Sequence, residues 1–403
     1  MASIRYLFFD RLMLNLALLL GIMQLLIWHW VSVVWLRRDS PGGLAVFAAL
    51  GLLVVVNGLA VPALRRVRRR AGWGGRLARL YMNAGVATLL VGVAVLTSWL
   101  VFGLFAGLLG AVGAGAGLAF EAFRAGSALL AGSVAGLLLW GFSFGQARVA
   151  RTRVRVELPG LAPALDGLRV LQISDLHIGN GLEGERLSRM VARSNALDPD
   201  LIVITGDIFD FDPAFIEDGL RRLAELRARC GVYAILGNHD IYTGTQRVVA
   251  GFAAFAPGIR LLRDEIVKLP LSEPLYLAGV EDPGPDWSAR GLELPAIERL
   301  AGERAADGPT LLLVHRPEAF PQAARLGFPL VLAGHTHGGQ LALPTPGGPW
   351  NLARIVTRFT RGRYQLDGST LYVTRGIGVG GPALRVNCSR EITTLELARA
   401  GAA

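Results

Sequence analysis

Two imidazoles flank a threonine in Gly334-His335-Thr336-His337-Gly338-Gly339, directly after the apolar run Leu330-Val331-Leu332-Ala333. Neutral imidazole is the commonest metal ligand, and alternate residues of a glycine-rich turn can converge on one point. Four further stretches repeat this pattern of polar groups behind a strand-like run. Asp175-Leu176-His177 follows 170–173, and Gly206-Asp207-Ile208-Phe209-Asp210 follows 201–204. Asn238-His239-Asp240 comes after 232–236, and His315 after 311–314. Five of the six histidines in the chain lie in these stretches. Polar clusters at five strand ends point to one site along one edge of a sheet.

The donors define the chemistry. Asp175 and Asp207 are carboxylates, Asn238 is an amide, and His177, His315, His335 and His337 are imidazoles. Mixed oxygen and nitrogen ligands suit manganese, iron or zinc better than calcium. Seven donors exceed one tetrahedral site but fit two divalent metal ions that share a carboxylate. Such ions, ~3.5–4 Å apart, clamp the attacking and leaving oxygens of a displacement at phosphorus and lower the pKa of a bridging water. The expected reaction is attack by that metal-bridged hydroxide. Singly, each stretch has a plainer explanation: Asp175 or Asp207 as a helix cap, His315 as a turn residue, Asn238-His239-Asp240 as a turn. Together, behind five strands, they argue for hydrolysis.

The elements that must position them divide the chain in two. Of 403 residues, 52% are hydrophobic, and the excess sits in 1–145. Up to Arg155 there are 16 basic and three acidic residues; from Val156 onward there are 25 and 28. The basic surplus therefore belongs to the apolar half, and nucleic acid is not an expected partner. Residues 1–150 read as a transmembrane helical region with about four spans, at 12–36, 43–64, 81–104 and 127–144. Residues 80–120 carry no charge and leave room for a fifth. Thirteen arginines on one side of four spans against three on the other predict both termini in the cytoplasm, hence a multi-pass inner-membrane protein with a cytoplasmic C-terminal domain. Membrane lipids are then partners, and the arginines between spans two and three are topology signals or headgroup ligands. His29, between Trp28 and Trp30, reads as an interfacial packing residue. Residues 151–167 read as a linker whose start alternates like an edge strand, ended by Pro159-Gly160 and Pro163. From 168 to 403, strand, motif and helix repeat, which argues for a layered α/β domain. Cys230 and Cys388, 158 positions apart, read as two ordinary thiols.

Asp-x-His, Gly-Asp-x-x-Asp, Gly-Asn-His-Asp, a lone His and Gly-His-x-His, in that order, resemble the calcineurin-like metallophosphoesterase superfamily. Ser174-Asp175-Leu176-His177 and the stretch from Gly334 to Gln340 are most similar to its membrane-anchored bacterial phosphohydrolases. The resemblance covers about 168–397. It implies a four-layer α-β-β-α domain with two mixed sheets, so the expected architecture is a multi-pass α-helical membrane region followed by that domain. It also implies that Asp175, His177 and His337 hold one metal, that Asn238, His315 and His335 hold the other, and that Asp207 bridges. His239 would protonate the leaving oxygen, Asp240 would orient His239, and Asp210 would support from behind. The stretch Arg385-Val386-Asn387-Cys388-Ser389-Arg390-Glu391 departs from the prolines expected there.

The substrate class is a phosphorylated small molecule or lipid: a phosphomonoester, phosphodiester or pyrophosphate. Some similar proteins hydrolyse a nucleotide-linked acylated glucosamine of lipid A synthesis. Two alternatives stand beside this: a catalytically silent membrane module with a phosphoesterase-like domain, and a nuclease of the same superfamily. Residues 341–364, rich in proline, glycine and arginine, form either a lid for a phosphorylated lipid or an ordinary surface loop. Glu281-Asp282 ends another apolar run but fits no ligand pattern.

Overall fold

The computed structural model describes residues 2–38, 42–68, 72–111, 116–284, 292–346 and 348–401, and the chain forms two compact units, Met1–Gly141 and Phe142–Ala403. The first unit holds α1 (Ala2–Trp30), α2 (Gly43–Arg68), α3 (Trp73–Ala111) and α4 (Ala116–Trp140). Four described segments are long and apolar enough to cross a membrane: Asn15–Trp35, Gly43–Ala60, Trp73–Phe105 and Gly117–Gly145. The uncharged run 80–120 is shared between α3 and α4, on either side of residues 112–115, which lie outside the described residues. Among the described residues no fifth helix of that kind is present. Leu44, Phe47, Leu59 and Leu104 are exposed, as apolar side chains are when lipid is their solvent. Asn57 pairs across helices: on α2 it donates to Gln24 Oε1 on α1 at 2.8 Å and accepts from the Tyr81 hydroxyl on α3 at 2.6 Å. Such bonds hold helices together where burial of apolar surface gives no drive. His29 lies 6.1 Å from the Trp99 ring.

The second unit opens with β1 (Val149–Leu158), β2 (Arg169–Ile173), α5 (Glu185–Asn195), β3 (Leu201–Thr205), α6 (Ile216–Leu223), β4 (Val232–Ile235), α7 (Asn238–Phe255) and β5 (Ile259–Leu261). It continues with β6 (Glu265–Lys268), β7 (Tyr276–Gly279), α8 (Pro295–Glu303), β8 (Thr310–Leu313), α9 (Phe320–Arg325) and β9 (Leu330–Ala333). A short pair, β10 (Ala342–Leu343) and β11 (Trp350–Asn351), precedes β12 (Gly362–Leu366), β13 (Ser369–Val373) and β14 (Arg390–Arg399). Two six-stranded mixed sheets result, in the orders β1-β14-β2-β3-β4-β5 and β12-β13-β9-β8-β7-β6. Strands such as Leu201-Ile202-Val203-Ile204 are buried on both faces, as parallel strands covered on both sides must be. Leu187, Met190, Val191 and Ser194 line the buried face of α5 at helical spacing.

Three apolar layers follow from this order. One lies between the first sheet and α5–α7, around Ile204, Leu220 and Phe252. A second fills the space between the sheets, around Val203, Leu277 and Leu332. The third lies between the second sheet and α8 and α9, around Ile297, Phe320 and Val331. This is a four-layer α-β-β-α arrangement.

Of the stretch read as a linker, 151–158 belongs to a strand of the second unit, as the alternation at its start suggested. Residues 149–158 are a full edge strand, paired in parallel with β14 from Val149 opposite Arg390 to Leu158 opposite Arg399. β14 offers ten residues of backbone, and a partner of equal length satisfies its hydrogen-bonding groups. The pairing also carries a buried ionic cluster. Glu391 accepts from Arg375 Nε at 3.1 Å, from the Tyr372 hydroxyl at 2.9 Å and from Thr152 on β1. Burial opposes charge on Glu391, yet Arg375 holds its pKa below the usual range. Glu391→Ala leaves the partly buried Arg375 and the buried Tyr372 hydroxyl without their shared acceptor, so it is expected to cost about 1–3 kcal/mol. The check is the urea midpoint of the second unit in the detergent-solubilised full chain, read by pulse proteolysis; an unchanged midpoint contradicts the role.

Candidate metal centre

The five stretches meet, but not along one edge. The residues after β2, β3 and β4, adjacent and parallel in the first sheet, face those after β8 and β9, adjacent and parallel in the second. The site lies where the ends of two sheets converge. Sharp turns aim the side chains inward. Asp175, His177, Asp207, His335 and His337 all have left-handed backbones, with φ of 51°, 45°, 51°, 70° and 50°. Such conformations strain non-glycine residues and concentrate at functional sites. Hydrogen bonds hold the turns: His177 N donates to Asp207 O at 3.0 Å, and Gly334 N to His315 O at 3.0 Å. At Gly334 a Cβ would overlap Ser174 Oγ and Asp175 Oδ2, so glycine is required for the two sheets' turns to touch.

The donors fall into two groups that share Asp207. In one, His177 Nε2 lies 3.0 Å from His337 Nε2, and His337 Nε2 lies 3.6 Å from Asp175 Oδ1. In the other, His315 Nε2 lies 3.2 Å from His335 Nδ1. Asp207 Oδ2 stands between the groups, 3.6 Å from His177 Nε2 and 3.2 Å from His315 Nε2. Asn238 is buried beside them and its Oδ1 has no hydrogen-bond partner, nor has Asp175 Oδ2. Two facing imidazole nitrogens, and buried oxygens without donors, are what a cation would satisfy. The residues therefore fit divalent metal ions.

Protonation agrees. Burial, then the charge of His315 for one and of His177 for the other, keeps His335 and His337 well below the ordinary imidazole pKa, so their lone pairs are available. Burial disfavours charge on Asp207, but His315 and His239 hold its pKa well below the carboxylate range. Burial likewise opposes a charged His315, yet the Asp207 carboxylate pushes it up to about 10. A proton on His315 and a divalent cation are thus alternative partners for Asp207. Burial, then the Asp207 charge, raises Asp175.

Partners behind the imidazoles set their tautomers. His177 Nδ1 donates to Asp210 Oδ1 at 3.1 Å, and His315 Nδ1 to Thr205 O at 2.8 Å, which leaves each Nε2 lone pair facing inward. His239, at the N-terminus of α7, is only partly buried. Its Nδ1 donates to Asp210 O at 3.0 Å and lies 3.3 Å from Asp210 Oδ1. Burial opposes its charge, but Asp207 and Asp210 together push it up to about 9.

Asp240 does not orient His239. Its carboxylate accepts from Phe209 N at 2.8 Å, Gly237 N at 2.9 Å and Ile208 N at 3.0 Å, so it ties the turn after β3 to the start of α7. Its position in the first turn of the helix directs it to unpaired backbone donors. Burial pushes it up to about 6 despite those donors. The partner of His239 is Asp210.

Four supporting residues carry no motif. Asp282 accepts from buried Arg316 Nε at 2.7 Å and Nη2 at 2.9 Å, and so fixes the residue that follows His315. The Glu281-Asp282 run at a strand end was the sequence signal for it. Arg385, fully buried, donates to Arg375 O at 2.9 Å, to Gly378 O at 2.6 Å and to Cys388 O at 3.2 Å, beneath His337. Arg375 and Glu391 brace the same turns. Nothing local to 375–391 announced these contacts. Cys230 and Cys388 are both buried free thiols.

The chain is similar to known proteins. The family model for calcineurin-like phosphoesterase matches residues 168–339. A transmembrane protein with metallophosphoesterase domain from Danio rerio is 34% identical over 262 residues, covering 61% of this chain and 57% of that protein. The uncharacterized metallophosphoesterase YkuE of Bacillus subtilis is 30% identical over 276 residues, 65% of this chain and 92% of that protein. Phosphodiesterase YaeI of Escherichia coli is 30% identical over 233 residues, 57% and 82%. The chain thus spans nearly the whole of the Bacillus relative but less than two thirds of the Danio one. The motifs at five strand ends, the two mixed sheets and these similarities together make the chain a member of the calcineurin-like phosphoesterase family.

Proposed function

We propose that the second unit hydrolyses a phosphoester or pyrophosphate bond with two divalent ions, Asp175, His177 and His337 holding one and Asn238, His315 and His335 the other. The observation that carries this is Asp207 Oδ2, set between the imidazoles of both groups. Bound there, the ions would supply a nucleophile from water at neutral pH and offset charge on the phosphoryl oxygens. The protein's own part is positional. Asp210 and Thr205 fix the rings of His177 and His315, and Asp207 Oδ1, by accepting from His239 N at 2.8 Å, seats the acid beside the carboxylate. His239 carries a proton on a partly open ring and delivers it to the departing oxygen. Phe211 and Tyr242, whose rings lie 4.8 Å and 5.2 Å from His239, wall the side from which that group leaves.

For the substrate we favour a phosphodiester of a lipid-linked molecule. The membrane-length helices of the chain raise the effective concentration of such a substrate. The name of the Escherichia coli relative, a phosphodiesterase, agrees with a diester. We place the domain in the cytoplasm, from the thirteen arginines against three.

With manganese added to metal-stripped full chain, an aryl phosphodiester is turned over, and Asp207→Ala abolishes both turnover and binding of a second equivalent of metal. Retained activity in Asp207→Ala overturns the shared-carboxylate reading. His239→Gln keeps its metal but loses about 10²–10⁴-fold in kcat, more for alkyl than for aryl leaving groups. An equal loss for both means that His239 is not the acid.

Asp210→Asn weakens metal affinity ~10–100-fold through His177. Asp240→Asn instead lowers stability and leaves affinity within a few-fold; calorimetric titration with manganese separates the two. For topology, Arg193→Cys, exposed on α5, is expected to resist an impermeant maleimide in intact cells and react after lysis. Labelling before lysis places the domain outside.

A further inference from the structure

In the second unit, beyond Phe144, the exposed large hydrophobic residues among the described residues are confined to one hairpin and the turn after it: Leu343 (54% exposed), Trp350 (40%), Leu352 (55%) and Ile355 (59%). Scattered singly, such residues are ordinary; four within thirteen positions form a patch, and a patch marks an interaction site. β10 and β11 pair with each other and belong to neither six-stranded sheet, so the patch covers no core of its own. Its charge is equally one-sided. Residues 341–365 contain Arg354, Arg358, Arg361 and Arg363 and no carboxylate, in a half of the chain where acids outnumber bases. Arg354 and Arg358 are exposed.

We propose that this hairpin docks into the headgroup region of an anionic bilayer. Tryptophan with aliphatic side chains suits the interface, and arginines without acids suit lipid phosphates. A protein surface or the acyl chain of a substrate would meet the apolar residues equally well. The bilayer is favoured because the chain's own membrane-length helices keep one present, and because an all-arginine charge set matches anionic headgroups.

The hairpin is tied to the metal centre. Thr336 Oγ1 donates to Thr360 O at 2.6 Å, and Ala342 N to Val386 O at 3.0 Å. Asn351 packs where a Cβ on Gly339 would lie, and Gly339 has a φ of 76°, so the turn that carries His335 and His337 is closed by the base of the hairpin. Docking would hold the metal centre at the depth of lipid phosphates. The proposal does not depend on the hydrolase reading, because its readout is depth and not turnover.

The test uses the full chain in nanodiscs, one chain per disc, with Leu352→Cys labelled by a polarity-sensitive fluorophore; the native thiols are buried. In discs of phosphatidylcholine with phosphatidylglycerol the probe is expected to emit blue-shifted light, to resist iodide and to be quenched by lipids spin-labelled near the glycerol. A probe on Arg193→Cys stays aqueous. Arg354→Glu with Arg358→Glu weakens the shift at Leu352→Cys in the anionic discs. An aqueous spectrum at Leu352→Cys overturns the proposal. So does a shift that follows protein concentration in detergent, which means a second copy, or one that arises only on adding a lipid phosphoester, which means an acyl-chain clamp.

Discussion

The buried carboxylate of Asp207 is the constraint on which the rest of the second unit depends. A charge taken out of water must be paired, and Asp207 is paired on every side: His239 N on Oδ1, and the His177 and His315 rings on Oδ2. Its partners come from three strand ends in two sheets. Two sheets must therefore pack with their ends in register to within a hydrogen bond. Five left-handed residues bend the chain inward to achieve that, each at a cost of order 1–3 kcal/mol. The three apolar layers, with interiors such as Val203, Leu277 and Leu332 wholly buried, are what hold such strain in place.

Around that constraint, buried polar side chains serve as ties between turns. Asp240 joins the turn after β3 to α7, and Asp282 with Arg316 joins the end of β7 to the His315 turn. Arg385 gathers four carbonyls beneath His337, and Glu391 links β14, β1 and the Arg375 turn. None of these groups needs to touch a substrate. Each fixes where a donor stands, and a donor displaced by an ångström is lost to a metal. The edge strand β1, which follows the helical region directly in sequence, shares in the tie through Thr152.

The first unit obeys a different solvent. Its helices carry apolar residues outward and keep Gln24, Asn57 and Tyr81 for each other. The hairpin of Trp350 and Leu352 brings a small patch of the same chemistry to the second unit, which beyond Phe144 exposes no other large apolar side chain among the described residues.

Sequence by itself determined the parts. Apolar runs of four or five residues marked the strands that precede the motifs, because a strand buried on both faces has no room for polar residues. The motifs behind them supplied the seven candidate donors, and long uncharged runs marked the helices of the first unit. What sequence could not determine was direction. Asp240 and Asp210 are both acids close to His239 along the chain or across a turn, yet only the backbone path decides which carboxylate faces the ring and which faces three amides. The same limit hid the division of five strand ends between two sheets, the pairing of the edge strand 149–158 with β14, and the ties made by Arg385 and Glu391. Those contacts join residues far apart in sequence, and packing alone brings them within reach.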